Sequence, residues 1–487
     1  MINFIGIDIG TSSTKIIITN IEGEVLFSSS KSYGVYTPKK FYSEQSPMLW
    51  YDASIELLKE AFRKIDPSTI EAISFAGQMH GLVLLDECDN ILRNCILWND
   101  GRSYKESNYL NTKIKDILVT ETGNISFPGF TLSKLMWVKE NEPNIFNKIN
   151  KIMLPKDYLI YRFSNVFASD YTDMSGTLFM SVEKKKYSQK ILDLVGINEK
   201  LLPKLYESYE CVGYIDQTLA ESLGLKKTVK IIVGAGDNAA SAIGSGCINS
   251  NNATISLGTS ATIFFPLEKY NNNCHESIHN FAHANGKYHY LACILSGASS
   301  TGWWINEILN SSHNNSYNIS HDKLGENEVF YTPYLNGERC PHNDSLIRGS
   351  FLNLSMTTTR NDMTQAVLEG VAFALRDCKE KMKLTGYDFK EITLVGGGSK
   401  NPLWVKIISS VLNVDVYQLD NEQGPSLGAA ILAMVGSGYF KTVEEAIDKL
   451  IHKKLTTSKD VKLVEKYENK YKIYTKIYDA TSFLKHI

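Results

Sequence analysis

The sequence predicts an α/β protein made of two similar domains. Two β-rich hairpins with nearly the same glycine turn stand half a chain apart, and helical and β-rich stretches alternate between and after them. Length points the same way, because 487 residues exceed what one hydrophobic core ordinarily serves.

The first hairpin is Phe4-Ile5-Gly6-Ile7, the turn Gly10-Thr11-Ser12-Ser13 and the return Lys15-Ile16-Ile17-Ile18. The second, over 253–266, is Thr254-Ile255-Ser256-Leu257, then Gly258-Thr259-Ser260-Ala261, then Thr262-Ile263-Phe264-Phe265. Overlaid from Gly10 and Gly258, 248 residues apart, Gly-Thr-Ser-Ser-Thr matches Gly-Thr-Ser-Ala-Thr. An internal duplication is the plain reading. Between the hairpins, 47–65 and 132–140 read as helices and 72–76 as a strand. In the second half, 361–384 reads as a helix and 391–395 as a strand entering Gly396-Gly397-Gly398. Beyond about Phe440 the chain becomes charged, yet 442–454 and 461–478 keep apolar residues at helical spacing, so packing helices are expected there. No Pro/Ser-rich linker marks the division, which is placed at 243, giving domains 1–243 and 244–487.

Apolar residues make up 43% and charged residues 21%, as in ordinary globular chains. A net charge of −2 gives no general field for nucleic acid or an anionic membrane, so an anionic ligand must be held by local groups. The eight cysteines, Cys88, Cys95, Cys211, Cys247, Cys274, Cys293, Cys340 and Cys378, show no C-x-x-C spacing, so neither a zinc site nor a redox motif is expected. The start lacks a basic segment followed by a long apolar stretch, and no run approaches the roughly 18 apolar residues of a membrane span. The reducing cytoplasm is the expected location.

Several segments could carry chemistry. Around Asp8-Ile9-Gly10-Thr11-Ser12, a tight turn offers backbone N–H groups and hydroxyls beside a carboxylate, which suits phosphate oxygens and a magnesium ion; an ordinary hairpin turn with a capping Asp is the alternative. The second copy has Ser256 in place of Asp8, so only the first could supply a metal-binding carboxylate. In Gly234-Ala235-Gly236-Asp237-Asn238, an Asp at a strand end could take a proton from an attacking hydroxyl, or could simply cap a helix. The run Gly396-Gly397-Gly398 allows close backbone approach to a flat ligand, or makes a tight turn. No Gly-x4-Gly-Lys-Ser/Thr occurs, so nucleotide binding is not of the P-loop type. Three polar segments suit a sugar: Gly77-Gln78-Met79-His80-Gly81, Trp98-Asn99-Asp100-Gly101-Arg102 and Glu338-Arg339-Cys340-Pro341-His342-Asn343. Arg102 and Arg339 could equally be interdomain ion pairs.

In order and spacing, GIDIGTSSTK, FAGQMHG, ILWNDGR, TGNISFPGF, LPKDYL, GAGDNAA, SLGTS, PYLNGER, VLEG and GGGSKN resemble the FGGY family of carbohydrate kinases, most closely its xylulokinase branch, from about residue 4 to about 434. The resemblance implies a two-lobed actin-like (ribonuclease H-like) ATPase fold with a deep cleft, sugar below and MgATP above. It makes the first domain sugar-binding and the second nucleotide-binding. It also implies ATP-dependent phosphorylation of D-xylulose to D-xylulose 5-phosphate, with another ketose or polyol (ribulose, L-xylulose, a deoxy-ketose, gluconate), a non-catalytic sugar sensor and a filament ATPase as rivals. By the same resemblance Asp237 is the general base and Asp8 the Mg2+-associated carboxylate, while Met79, His80, Asp237 and Asn238 contact the sugar. Thr11, Ser12, Gly258 and Thr259 belong to the phosphate hairpins, and Gly297, Gly397, Gly398 and Asn401 to the adenine-nucleotide pocket. Glycerol kinases of the family carry Arg-Glu at Met79-His80, Gln at Asn238 and Tyr at Gly129, and a Gly at 129 is expected to leave room for a longer ketose. The partners implied are the sugar and MgATP, with no nucleic acid and no membrane; a homodimer stays open.

Overall fold

The computed structural model of the chain describes residues 2–273, 276–311 and 319–486. The elements used below are β1 (Asn3–Ile9), β2 (Ser13–Asn20), β3 (Val25–Ser32), α1 (Pro47–Ala61), β4 (Ile70–Gly77), α2 (Thr131–Asn141), α3 (Pro155–Ser164), β5 (Lys230–Gly236) and α4 (Asp237–Gly244) in the first lobe. The second lobe has β6 (Asn252–Leu257), β7 (Ala261–Leu267), β8 (Tyr288–Ile294), α5 (Arg360–Lys383), β9 (Glu391–Val395), α6 (Pro402–Leu412), β10 (Asp415–Leu419) and α7 (Pro425–Gly436).

Each lobe is a sheet with the same five-strand centre. The first runs β3-β2-β1-β4-β5 and the second β8-β7-β6-β9-β10, with the first three strands of each pairing antiparallel and the remaining strands joined in parallel through crossover connections. An extra antiparallel strand flanks β5 (Cys211–Tyr214) and another flanks β10 (Lys453–Thr457). The duplicated two-lobed architecture is therefore present. Lys453–Thr457 corrects the sequence reading of 442–454 as one helix. That helix stops at Leu450, and the next residues complete the sheet edge beside β10, because an unpaired edge there would leave backbone groups unmatched. The second C-terminal stretch divides into helices Val461–Tyr474 and Ile477–Thr481, whose Tyr467 and Lys470 bond the buried Glu369 of α5.

β1 is apolar on both faces because both are covered. Ile5, Ile7 and Ile9 face one way, packing with Trp50 and Leu57 of α1. Phe4, Gly6 and Asp8 face the other way, where Phe4 packs in one cluster with α7 of the second lobe. Contact there is close: a Cβ on Gly6 would lie 2.0 Å from the Ser426 carbonyl oxygen, and one on Gly428 would lie 1.8 Å from that of Ala240. Each aliphatic side chain buried at this junction contributes about 2 kcal/mol, so the lobes join through a common core rather than a linker. Of the eight cysteines, Cys274 lies outside the described residues and the other seven are free thiols. Among the described residues no helix is long and apolar enough to cross a membrane.

Candidate active site between the lobes

Four turns meet where the sheets face each other: the two hairpin turns, the 77–81 turn after β4 and the Gly236-Asp237 turn after β5. β5 carries a register shift between Ile232 and Ala235 in its pairing with β4. Gly234 sits there at φ +73°, where a Cβ would lie 1.8 Å from the Phe75 carbonyl oxygen, so only glycine serves. After the bulge, Gly236 N–H leaves the ladder and donates to Thr172 Oγ1 at 2.9 Å.

Asp237 then opens α4, but it does not cap it: the N-cap residue is Gly236, and Asp237 Oδ1 accepts only from Asn238, through its N–H at 2.7 Å and its Nδ2 at 2.9 Å. The capping alternative is thus removed, and the carboxylate is left facing the cleft. Burial pushes the Asp237 carboxyl up to about 6, with the Asn238 donors opposing. Asn238 Nδ2 also lies 3.9 Å from Met79 Sδ, which joins this turn to the 77–81 turn.

His80 stands in the left-handed region at φ 69°. Its Nδ1 lies 2.8 Å from the Gly176 carbonyl oxygen, so this nitrogen carries the proton and Nε2 presents a lone pair. The ring stacks on Phe130 at 4.5 Å. Burial pushes the imidazole down to about 3, with Lys134 and Arg339 adding to the effect and the Gly176 bond opposing it, so it is neutral at physiological pH.

Asp8 pairs across β1 and β2 with Lys15. Burial and then Asp237 push the Asp8 carboxyl up to about 7, with Lys15 opposing. The Lys15 ammonium crosses to the second lobe, donating to Gln423 Oε1 at 2.8 Å and Gln423 O at 3.1 Å. Sequence reasoning quoted Lys15 within a motif but gave it no role. Which residue stands opposite Asp8 depends on the length of the turn, and the four-residue turn 10–13 makes it Lys15. Thr11 has its hydroxyl committed within the first lobe, donating to Gln78 Oε1 at 3.0 Å and accepting from Trp98 Nε1 at 2.9 Å. Ser12 and Thr259 are exposed at the tips of their turns.

A cavity of about 260 Å³ runs between the lobes past Asp237, Asn238, Ser256, Thr262, Gly396 and Glu422. Nearby, a cleft of about 770 Å³ is lined by Ala298, Gly397, Gly398, Asn401 and Trp404. The three glycines there have three different causes. Gly396 needs φ +90°, Gly398 has Trp404 and Leu257 within 3 Å of a would-be Cβ, and only Gly397 faces open space. Asn401 caps α6 through Oδ1, while its buried Nδ2 has no hydrogen-bond partner among the described residues. Gly297 stands apart from this lining. It packs on the second hairpin, where a Cβ would lie 2.6 Å from Ser260 C, and its N–H bonds Thr259 O.

A further cleft of about 670 Å³ brings together Trp98, Gly129, Glu338, Arg339 and Asn343 from both lobes. Gly129 does not simply leave room there: a Cβ would lie 2.2 Å from the Trp98 carbonyl oxygen, so backbone packing explains the glycine. Arg102 forms buried ion pairs with Asp100 and Glu44 inside the first lobe, so it is not an interdomain pair. Arg339 does reach across, lying over the Phe127 ring at 5.2 Å.

The profile of the FGGY family of carbohydrate kinases, N-terminal domain, matches residues 3–244, and that of the C-terminal domain matches 253–437. The chain belongs to the FGGY family of carbohydrate kinases. This FGGY kinase is 36% identical over 488 residues to the xylulose kinase of Bacillus subtilis strain 168, covering 99% of this chain and 97% of the relative. Among solved structures it is similar to the ligand-bound xylulose kinase of Lactobacillus acidophilus, with TM-score 0.93, 26% identity and 99% of each chain covered. A gluconate kinase from the same organism superposes as well, with TM-score 0.92, 26% identity and 98% of each chain covered. Two different named substrates at equal similarity mean that the fold leaves the substrate to individual site residues.

Proposed function

We propose that this FGGY kinase transfers the γ-phosphoryl group of ATP to O5 of D-xylulose, giving ADP and D-xylulose 5-phosphate. The observation that carries the reading is the meeting of Met79-His80 with Asp237-Asn238. It joins the turn that carries the neutral imidazole of His80 to the turn of the candidate base, and Asp237 and Asn238 line the cavity that reaches Gly396. Full-length similarity to a xylulose kinase supports the choice of sugar.

In this reading Met79, His80 and Asn238 hold the ketose, and Asp237 takes the O5 proton as O5 bonds to the γ-phosphorus and the bond to the β,γ-bridging oxygen breaks. Backbone N–H groups at Thr11-Ser12 and Gly258-Thr259 stabilise charge on the transferred group, with Lys15 beside them, while the Gly10 N–H closes its own turn on Ser13 O. Gly397, Gly398 and the free Nδ2 of Asn401 receive the nucleoside, and Gly297 holds the second hairpin in place. The division is placed near 243, at the end of α4, with Met79, His80, Asp237 and Asn238 before it and Gly297, Gly397, Gly398 and Asn401 after it.

The Asp8 site fits Mg2+. Two carboxylates repel there, and no group of three His, Cys, Asp or Glu side chains among the described residues makes a protein-only metal site. That suits an ion held by Asp8, water and phosphates, which would neutralise charge on the β- and γ-phosphates. Dependence on ATP implies the cytoplasm, where that substrate is held.

A coupled ADP-release assay with MgATP across D-xylulose, L-xylulose, D-ribulose, L-ribulose, glycerol and gluconate tests the reading. The expected result is the highest kcat/KM for D-xylulose. A preference for gluconate or another polyol would overturn the choice of sugar, and no turnover on any would overturn the catalytic reading.

A further inference from the structure

Four groups converge on the His80 residue, and three of them come from the start of one helix. Phe130, the N-cap residue of α2, stacks on the imidazole. Thr131 Oγ1 and Lys134 Nζ each donate to the His80 carbonyl oxygen at 3.0 Å. Thr131 is 1% exposed and Lys134 is 0% exposed. The fourth, Gly176 O, accepts from the imidazole Nδ1.

Two features are costly and need a reason. His80 holds a left-handed backbone conformation that strains a residue with a Cβ, and such strain persists only where the surroundings over-determine it. Lys134 is a fully buried ammonium that, among the described residues, lies in no ion pair. Burial pulls the Lys134 ammonium down to about 7, with Cys95 and Asp100 working against that shift and Arg102 with it. A methionine would fill the same volume without the desolvation penalty. What lysine adds is an N–H donor aimed at the carbonyl of the strained residue.

We propose that the first turn of α2 is a cradle for His80, in which Phe130, Thr131 and Lys134 are positioning residues that hold the imidazole with Nε2 towards the sugar. The proposal rests on the reading of His80 as a sugar contact. Phe130 fixes the ring plane, Thr131 and Lys134 fix the peptide, and Gly176 fixes the tautomer. Sequence carried a partial signal: Lys134 falls on the buried stripe of α2 with Thr131, Leu135 and Val138. The turn that brings His80 to it is visible only in three dimensions.

The test uses the full chain and the variants Thr131→Val, Thr131→Ser and Lys134→Met. KM is measured separately for D-xylulose and MgATP, and histidine 15N spectra are recorded with His80 assigned by its loss in His80→Asn. Thr131→Val and Lys134→Met are expected to raise the ketose KM by about tenfold or more while MgATP KM stays within about twofold. Thr131→Ser should stay near the parent, and Lys134→Met, by freeing the His80 peptide and so loosening the Nδ1 bond to Gly176, should convert the single Nδ1-protonated His80 signal into a tautomer mixture. An unchanged ketose KM, or equal rises in both KM values with a lower Tm, would overturn the cradle. Should Lys134→Met fail to fold, the Thr131 pair decides alone. Should the parent turn over no sugar, the function reading fails while the imidazole spectra still decide the cradle.

Discussion

In the first hairpin Asp8 stands across the strands from Lys15, and in the second Ser256 stands across from Thr262. Both pairs sit two residues before the turn glycine and face the space between the lobes. The turns differ by one residue, with 10–13 between paired Ile9 and Thr14 but 258–260 between paired Leu257 and Ala261. Sequence overlay therefore aligns the two turns correctly and then slips by one on the return strand. In space Thr262 answers to Lys15, not to Thr14. One slip moves a side chain to the other face of a strand, so the slip decides which residue meets the cleft. The outcome is a charged pair on one wall and two hydroxyls on the other. That asymmetry suits one cation and one polyphosphate, whereas two acidic walls would repel the substrate.

The largest effect expected is from removing the proposed base, Asp237. Asp237→Asn should lower kcat by about 10³-fold while ketose binding stays within about tenfold. Retained turnover in single-turnover assays removes Asp237 from the base role. Next is Asp8→Ser, which gives the first hairpin the residue of the second. It should lower kcat/KM for MgATP by about 10²-fold and raise the Mg2+ concentration needed for half activity. An unchanged Mg2+ dependence would separate Asp8 from the metal. Ser256→Asp adds the missing charge to the second wall and should raise the MgATP KM about tenfold. Adding Thr262→Lys to it recreates the Asp8–Lys15 pairing and should restore most of that loss. If Thr262→Lys gives no recovery, the register-based equivalence of Thr262 and Lys15 fails.

The smallest effect concerns pH. Asp237 must be ionised to accept a proton, so kcat/KM should rise as pH climbs through about 6, the value its burial sets. The same shift acts on stability with the opposite preference. A carboxyl raised in the folded state binds its proton more tightly there, so stability is fullest below its unfolded value near 4 and is lost as pH rises through about 6. Asp237→Asn should therefore raise Tm at pH 8 by ~2 °C and leave it unchanged at pH 4, read by calorimetry.

Much of the site was legible because its parts are local. The hairpins, the glycine-rich strand ends and the carboxylates at Asp8 and Asp237 are set by neighbours along the chain, and glycine beside β-branched residues has few other readings. Gly129 and Gly297 were harder: each is glycine because a distant backbone passes within 3 Å of a would-be Cβ, a cause that leaves no trace in nearby residues. Lys453–Thr457 was misread for a similar reason, since a charged segment at the end of a helix pattern becomes a strand only when a sheet edge waits beside it.

The sequence by itself determined the α/β class, the duplication, the family and the two carboxylates, because alternating patterns and turn residues act over a few positions. Only the tertiary structure decided that Asp237 is no cap, that Lys15 reaches the second lobe, that Thr262 answers to Lys15, and that Lys134 donates to the His80 carbonyl from a buried position. Those facts depend on which surfaces pack together, and packing joins residues that the chain keeps far apart.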